Sequence, residues 1–329
     1  MAHSVINLKG RPSKTVNDDE VYIGRAMNMG GWKCQKSKWQ NPFTKKDGTV
    51  EERVEKYEKY LTESKELMAA IPELVGKKLA CWCAPGPCHG DVLRRLSGNT
   101  SIGDVQVGKL PNRFSRMGSK EWPSIEGYHR FNVSSSSSGF GNNLSPFKVG
   151  PIKFTEVMPD GKEIEREATC LENLWQATKV RVIHRLSNMP VGEWWRIRNK
   201  IWADPKPYRH TIPKNERTGD IKDAVSFWNG MYISYELARW QIYIKFYSQY
   251  VAELDDYKTL EDMIKRGHNI LLIGPDGRRV DNYQHEFNDL SKPFGHELVL
   301  AAMLRNERVW ERVSDAGVDV AELSLEMKE

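Results

Sequence analysis

A carboxylate, an amide and an ammonium recur at helical spacing in Ala168-Thr-Cys-Leu-Glu-Asn-Leu-Trp-Gln-Ala-Thr-Lys-Val180, where Glu172, Gln176 and Lys179 stand at i, i+4 and i+7. On an α-helix these positions stack above one another on one face. The neighbours Leu171, Leu174, Trp175 and Ala177 are suited to burial, so Glu172 is expected in a partly dry cleft. Withdrawal from water raises a carboxyl pKa toward neutrality, the range useful for general acid or base work. A solvated face with a Glu/Lys pair also accounts for the spacing, and spacing alone leaves both readings open.

A second group gathers soft ligands: Cys81, Cys83, Cys88 and His89 supply the residue types of a tetrahedral zinc site. Their spacing argues against one. Lys78-Leu-Ala-Cys-Trp-Cys83 has strand character, which points both thiols of Cys-x-Cys to one face, while adjacent Cys88 and His89 do not readily close a compact site. Two other readings stand beside zinc. Buried strand cysteines next to a helix-start loop need no metal, and the turn Gly86 to Asp91 at a helix N-terminus, with Arg25, Lys38, Asn41 and His89, would cradle a phosphate.

The elements that must position these residues form two segments. Residues 1–100 read as an α/β domain: a strand at Val21 to Gly24, a long polar loop through Phe43, and a helix capped by Thr49 with Glu52 three residues on. That helix carries Val54, Tyr57, Leu61, Leu67 and Met68 and stops at Val75-Gly76; a strand, a turn and a helix from Asp91 to Leu96 follow. Residues 101–142, which follow Gly98 and contain Pro111, Gly118 and a serine run at Ser134 to Ser138, have the composition of a linker or transition. Residues 143–329 read as a helix-rich α+β domain. Phe147 to Val157 and Glu163 to Glu167 form a strand pair around Pro159-Asp-Gly161; Glu172 to Leu186, Ala224 to Tyr250, Leu260 to Arg266 and Gly295 to Arg312 are helical, and Asn269 to Ile273 is a buried strand.

Charge and cysteine usage narrow the function classes. The chain has 329 residues, long enough for two cores, with 49 Lys+Arg against 44 Asp+Glu. Residues 1–100 hold 17 basic and 12 acidic residues and the other 229 hold 32 of each, so the excess sits in the first third. That permits phosphate contact without the dense basic stripe of a nucleic-acid binder. No run reaches the roughly 18 apolar residues of a membrane span, and five cysteines, three of them within residues 81–88, do not form a secreted disulfide framework. A cytoplasmic protein with no membrane partner is expected.

The second segment resembles the NADAR family, whose members hydrolyse N-glycosidic bonds in ribosylated purine or pyrimidine intermediates or in ADP-ribosylated guanine. The resemblance is carried, in family order, by Asn143-Leu-Ser-Pro-Phe147, Glu172-Asn-Leu-Trp-Gln-Ala-Thr-Lys179, Lys245-Phe246 and Pro293-Phe-Gly-His-Glu-Leu-Val-Leu-Ala-Ala-Met-Leu-Arg305. It implies a NADAR-like domain in which Glu172 is a catalytic carboxylate, with Asn143, Phe147, Gln176, Lys179 and Asp276 on the substrate side and no cofactor. Trp228, in Ser226-Phe-Trp-Asn-Gly230, is placed to stack on a base. The family's Asp-x-x-Trp-Gly-like segment is replaced by Pro275-Asp-Gly-Arg-Arg-Val-Asp-Asn-Tyr-Gln-His285, in which Asp281 is preferred over Asp276 because Asp276-Gly277 reads as a turn. An insertion around Asp204 to Asp223 implies an altered rim.

The first segment is similar to DUF4326, a family without an established activity, through Val21-Tyr-Ile-Gly-Arg25, Ser37-Lys-Trp-Gln-Asn-Pro-Phe43 and Gly76-Lys-Lys-Leu-Ala-Cys-Trp-Cys-Ala-Pro-Gly-Pro-Cys-His-Gly-Asp-Val-Leu93. Together the two resemblances imply an N-glycosidase acting on a modified or ADP-ribosylated nucleotide, free or within nucleic acid. Two alternatives stay open: a non-catalytic module binding ADP-ribose, nucleotide or nucleic acid, and a ribosyl transferase in which an acceptor replaces water.

Overall fold

The computed structural model describes residues 5–98, 102–111, 122–185, 189–209 and 225–307. The chain divides into two compact units, Met1–Val105 with Ser124–Arg130 and Thr259–Leu271, and Gln106–Pro123 with Phe131–Lys258 and Leu272–Glu329. Each unit is therefore assembled from separate stretches of sequence.

In the first unit β1 (Val5–Asn7) and β2 (Glu20–Tyr22) both pair in parallel with β3 (Lys78–Cys81) between them. A parallel sheet buried on both faces requires apolar residues at successive positions of its central strand, and β3 supplies them. Leu79 and Cys81 face a core with Tyr57, Leu61, Val92 and Leu93, while Ala80 faces Leu8, Trp32 and Cys34. The expected helix begins at the Thr49/Glu52 capping box as α1 (Val50–Glu63). It breaks at Ser64, whose hydroxyl accepts from Leu67 N and starts α2 (Lys65–Ala70). The next helix, α3 (His89–Leu96), starts two residues before the expected Asp91: Cys88 is its N-cap and Asp91 completes a capping box from the third position. A Cβ on Gly90 would lie 2.7 Å from Ile23 Cδ1 and 2.9 Å from Val5 Cγ1, so glycine is what lets α3 pack against the sheet.

The stretch expected to be a linker instead contributes β4 (Val105–Lys109) and β5 (Tyr128–Asn132). Val105 and Val107 are fully buried, an alternation too short to stand out among the flanking Gly, Asn and Ser residues. The expected hairpin forms from β6 (Ile152–Val157) and β7 (Glu163–Ala168). After it α4 (Leu171–Ala177) ends well before Leu186, because Lys179 and Val180 turn their backbone to pair with Ser226 and Val225. A helix not foreseen in the sequence, α5 (Gly192–Ala203), follows.

The long helix expected over 224–250 is a correction. Its first part is an antiparallel hairpin, β8 (Val225–Trp228) and β9 (Met231–Ser234), turned by Asn229 at φ 49° and Gly230 at φ 80°. Asn-Gly is a strong signal for a two-residue hairpin turn, and it outweighs helical periodicity here. Only then do α6 (Tyr235–Ala238), a π-helical stretch Arg239–Ile244 and α7 (Lys245–Val251) follow. The remaining elements are α8 (Asp255–Lys265), β10 (Asn269–Gly274) and α9 (His296–Leu304), with sheet order β4-β10-β5. The helix expected to run to Arg312 ends at Leu304, where Arg305 is its C-cap and Asn306 turns away at φ 55°; residues 308–312 and most of the insertion around Asp204 to Asp223 lie outside the described residues.

In the second unit every residue of α4 and of α9 is buried. These two helices carry the acids Glu172 and Glu297 into the interior. A further buried charge, Arg198 on α5, is 1% exposed; it donates through both terminal nitrogens to Glu156 on β6 and lies 4.0 Å from the Trp202 ring centroid. Among the described residues no helix is long and apolar enough to cross a membrane.

Candidate functional site

Glu172 is 8% exposed, and its Oε1 accepts a hydrogen bond from Gln176 Nε2 at 2.8 Å. Gln176 Oε1 in turn accepts from Lys179 Nζ at 3.0 Å, and that ammonium lies 4.6 Å from the Trp175 ring centroid. The predicted carboxylate–amide–ammonium ladder is therefore continuous. It is anchored where Glu172 N donates to Pro146 O and Leu171 N to Val149 O, so the Ser145-Pro-Phe147 turn fixes the start of α4. Burial pushes the Glu172 carboxyl up to about 7, against the Gln176 hydrogen bond and the positive charges of Lys179 and Arg209. Arg209 is a residue the sequence reading missed. Its guanidinium lies 4.9 Å from the Phe147 ring centroid, which places the expected Phe147 at the site's cationic edge, while Asn143 is exposed on the preceding turn.

Other polar groups lie within electrostatic reach of Tyr243, a buried phenol of the π-helical stretch that also senses Glu172. Burial raises its pKa well above the usual tyrosine value, and the charges of Glu172, Glu297 and Asp276 raise it further. Glu297 Oε1 accepts from Asp276 N at 2.6 Å, and Glu297 Oε2 faces His296 Nδ1 at 3.3 Å. His296 Nε2 donates to Val133 O at 2.8 Å, which leaves Nδ1 as a lone pair in the neutral ring. Burial lifts Glu297 to about 7 and lowers His296 to about 4, so both are neutral near pH 6. Glu297 belongs to the Pro293 to Arg305 segment but was not among the expected site residues. The available signal was an acid inside an otherwise apolar helical run.

Two expected catalytic residues need correction. Asp281 is exposed, whereas Asp276 is half-buried with its pKa raised by burial, so Asp276 is the acid gathered near Tyr243. The turn was correctly foreseen, with Gly277 N donating to Gly274 O, but a turn does not preclude a buried side chain. Trp228 is 5% exposed, and its ring packs against Phe154 at 5.3 Å and Phe246 at 6.0 Å between centroids. Those contacts make it an aromatic core residue rather than an open stacking face.

In the first unit the sulfurs of Cys81, Cys83 and Cys88 are 2.8–3.1 Å apart. His89 Nδ1 lies 4.0 Å from Cys88 Sγ, and the four potential ligand atoms all fall within 4.8 Å of one another. The expectation that adjacent Cys88 and His89 could not close is therefore overturned. Cys88 is extended at φ −138° while His89 opens the helix, and that change of backbone direction turns both side chains inward. Cys83, moreover, lies beyond the end of β3 rather than on it.

The phosphate cradle expected from Arg25, Lys38, Asn41 and His89 has its polar atoms engaged elsewhere. Arg25 donates to the carbonyls of Asn41 and Phe43, Lys38 pairs with Glu73 at 2.6 Å, and Asn41 bonds Arg53 O and Phe43 N. His89 Nε2 donates to Ile23 O at 2.9 Å. The start of α3 is already served by the Asp91 carboxylate, which repels an incoming anion. A cavity of about 580 Å³ lies instead against Lys14, Thr15, Tyr22, Lys33 and Gln35, and none of the four expected residues lines it.

Comparison with known proteins identifies the first segment alone. Residues 6–99 match the family described as a domain of unknown function, DUF4326. The chain is 43% identical over 101 residues to an uncharacterized protein, R718, of Acanthamoeba polyphaga mimivirus, covering 77% of that protein and 28% of this one. No solved structure matches. Through its N-terminal residues the chain belongs to the DUF4326 family.

Proposed function

We propose that the second unit hydrolyses the N-glycosidic bond of a ribosylated or ADP-ribosylated nucleotide, with Glu172 as the catalytic carboxylate. The observation that carries this reading is the burial of Glu172 at the head of a polar ladder, with its carboxyl raised to about 7. Breaking a C–N glycosidic bond develops positive charge on the sugar, which an ionised carboxylate in a dry site stabilises strongly. In the proposed step a water oxygen bonds to the anomeric carbon and its proton passes to Glu172. The C–N electron pair leaves with the base, which takes up a proton. Lys179 and Arg209 suit a phosphate-bearing substrate, Phe147 offers an aromatic surface beside Arg209, and Asp276 replaces Asp281 as the acid for orienting water or sugar hydroxyls. The first unit has no assigned part in this chemistry.

The test is mass-spectrometric detection of released base from ADP-ribosylated guanine in DNA and from ribosylated purine and pyrimidine nucleotides. Glu172→Gln should lower release by about 10²–10⁴-fold, the usual worth of a positioned acid or base. The wild-type rate should rise with pH until Glu172 is ionised, near its value of about 7. Equal release by both proteins would remove Glu172 from the mechanism. Tight ligand binding without any release would instead select a non-catalytic binding module.

A further inference from the structure

We infer that Cys81, Cys83, Cys88 and His89 bind one zinc ion in a closed structural site that joins the end of β3 to the start of α3. Three observations converge. Three sulfurs and one imidazole nitrogen already cluster within 4.8 Å. The His89 tautomer is fixed for ligation: Nε2 spends its hydrogen on Ile23 O at 2.9 Å, leaving the Nδ1 lone pair on the thiol side. A metal-binding histidine characteristically donates its other ring N–H to a carbonyl in this way. The sulfurs also have backbone donors, Gly90 N to Cys88 Sγ at 3.3 Å and Cys83 N to Cys81 Sγ at 3.4 Å, which stabilise thiolate charge.

The frame around the cluster is built to hold it. Asp91 accepts from Cys88 N, and Arg266 pairs with Asp91 at 2.8 Å while donating to Pro85 O at 3.1 Å, so the loop between the cysteines is pinned within the same unit. Cys81, Cys88 and His89 are buried and Cys83 is exposed, which gives the ion an entry side.

The donor set selects the ion. Three sulfurs and an imidazole favour zinc over oxygen-seeking magnesium or calcium, and four protein ligands leave no open position for catalysis. Tetrahedral zinc with bonds of about 2.3 Å holds its sulfurs about 3.8 Å apart, so uptake spreads this cluster by roughly 1 Å or less. A disulfide accounts for the group less well. Its bond is about 2 Å long, and pairing two sulfurs would leave the third thiol and the oriented histidine without a role. Binding converts three thiols to thiolates, with three protons released to solvent for each zinc ion taken up.

The experiment uses the full chain purified under reducing conditions without chelator. Elemental analysis should find one zinc per chain. After removal of zinc, cobalt(II) should give the intense visible bands of tetrahedral coordination together with a sulfur-to-cobalt charge-transfer band. Cys83→Ser should lose the metal or about one third of the charge-transfer intensity, while Cys34→Ala, at a cysteine outside the cluster, should keep both in full. Absence of stoichiometric zinc and of tetrahedral cobalt bands in folded, reduced protein overturns the inference. So does metal retained unchanged in Cys83→Ser, or isolation of the chain with a Cys81–Cys88 disulfide that excludes the ion.

Discussion

The thiol cluster of the first unit and the carboxylate cluster of the second are both buried chemistry, but they are assembled in opposite ways. All four potential metal ligands come from residues 81–89, where a strand ends and a helix begins. Glu172, Tyr243, Asp276 and Glu297 come from α4, a π-helical stretch, a turn after β10 and α9. The first arrangement is set by local backbone geometry and the second by packing of distant segments. The first should therefore survive damage that abolishes the second.

The largest expected effect tests that contrast directly. Arg198→Ala leaves Glu156, itself 2% exposed, with the partly exposed Arg166 as its remaining ionic partner among the described residues, a loss of about 3–5 kcal/mol for a broken buried pair. It also removes the cation that Trp195 and Trp202 enclose at 4.4 and 4.0 Å. Denaturant unfolding should show the loss, and base release should fall with it. Cobalt bound in the first unit should keep its spectrum, and loss of that spectrum in step with activity would break the contrast. Replacing both partners by apolar residues should recover most of the stability, because neither charge is then stranded.

The same contrast explains what could be read from the sequence. The Glu172–Gln176 step was legible because helix periodicity aligns it, with Lys179 joining from just beyond the helix end, and Thr49/Glu52 because a capping box is a local four-residue signal. That Glu297 and Glu172 both act on Tyr243 was not legible, since it depends on which distant helices pack together. The ligand types at Cys81, Cys83, Cys88 and His89 were plain, but their closure turned on the conformation of residues 84–88. The hairpin at Asn229-Gly230 was available as a turn signal and lost to an apparent helical period in the flanking residues.

A second, smaller effect separates the two clusters by pH. Glu297 has its carboxyl raised from 4.5 to about 7, so the folded chain holds a proton that the unfolded chain has released between those values. The raised pKa favours folding fully below pH 4.5, and that contribution is lost as pH rises through about 7. Glu297→Gln avoids this loss while keeping an acceptor for Asp276 N. Its stability gain over wild type should grow from roughly 1 kcal/mol at pH 5 to roughly 3 kcal/mol at pH 8. Urea midpoints at the two pH values measure it. A gain independent of pH would mean that Glu297 is not the titrating group.

The smallest effect asks how far the thiol cluster depends on its own unit. Thr49 Oγ1 accepts from Glu52 N at 3.2 Å and Glu52 Oε2 accepts from Thr49 N at 2.7 Å, so Thr49→Ala should cost about 1 kcal/mol. The helix that this cap begins also carries Tyr57, whose ring meets His89 edge-on at 5.0 Å and whose hydroxyl donates to Trp39 O. Tyr57 lies two turns beyond the cap and is completely buried, so fraying at Thr49 should not reach it. The expected result is a lower urea midpoint with an unchanged slope and an undiminished zinc content. A fall in zinc content would show that the site depends on the whole of α1, not only on the backbone between β3 and α3.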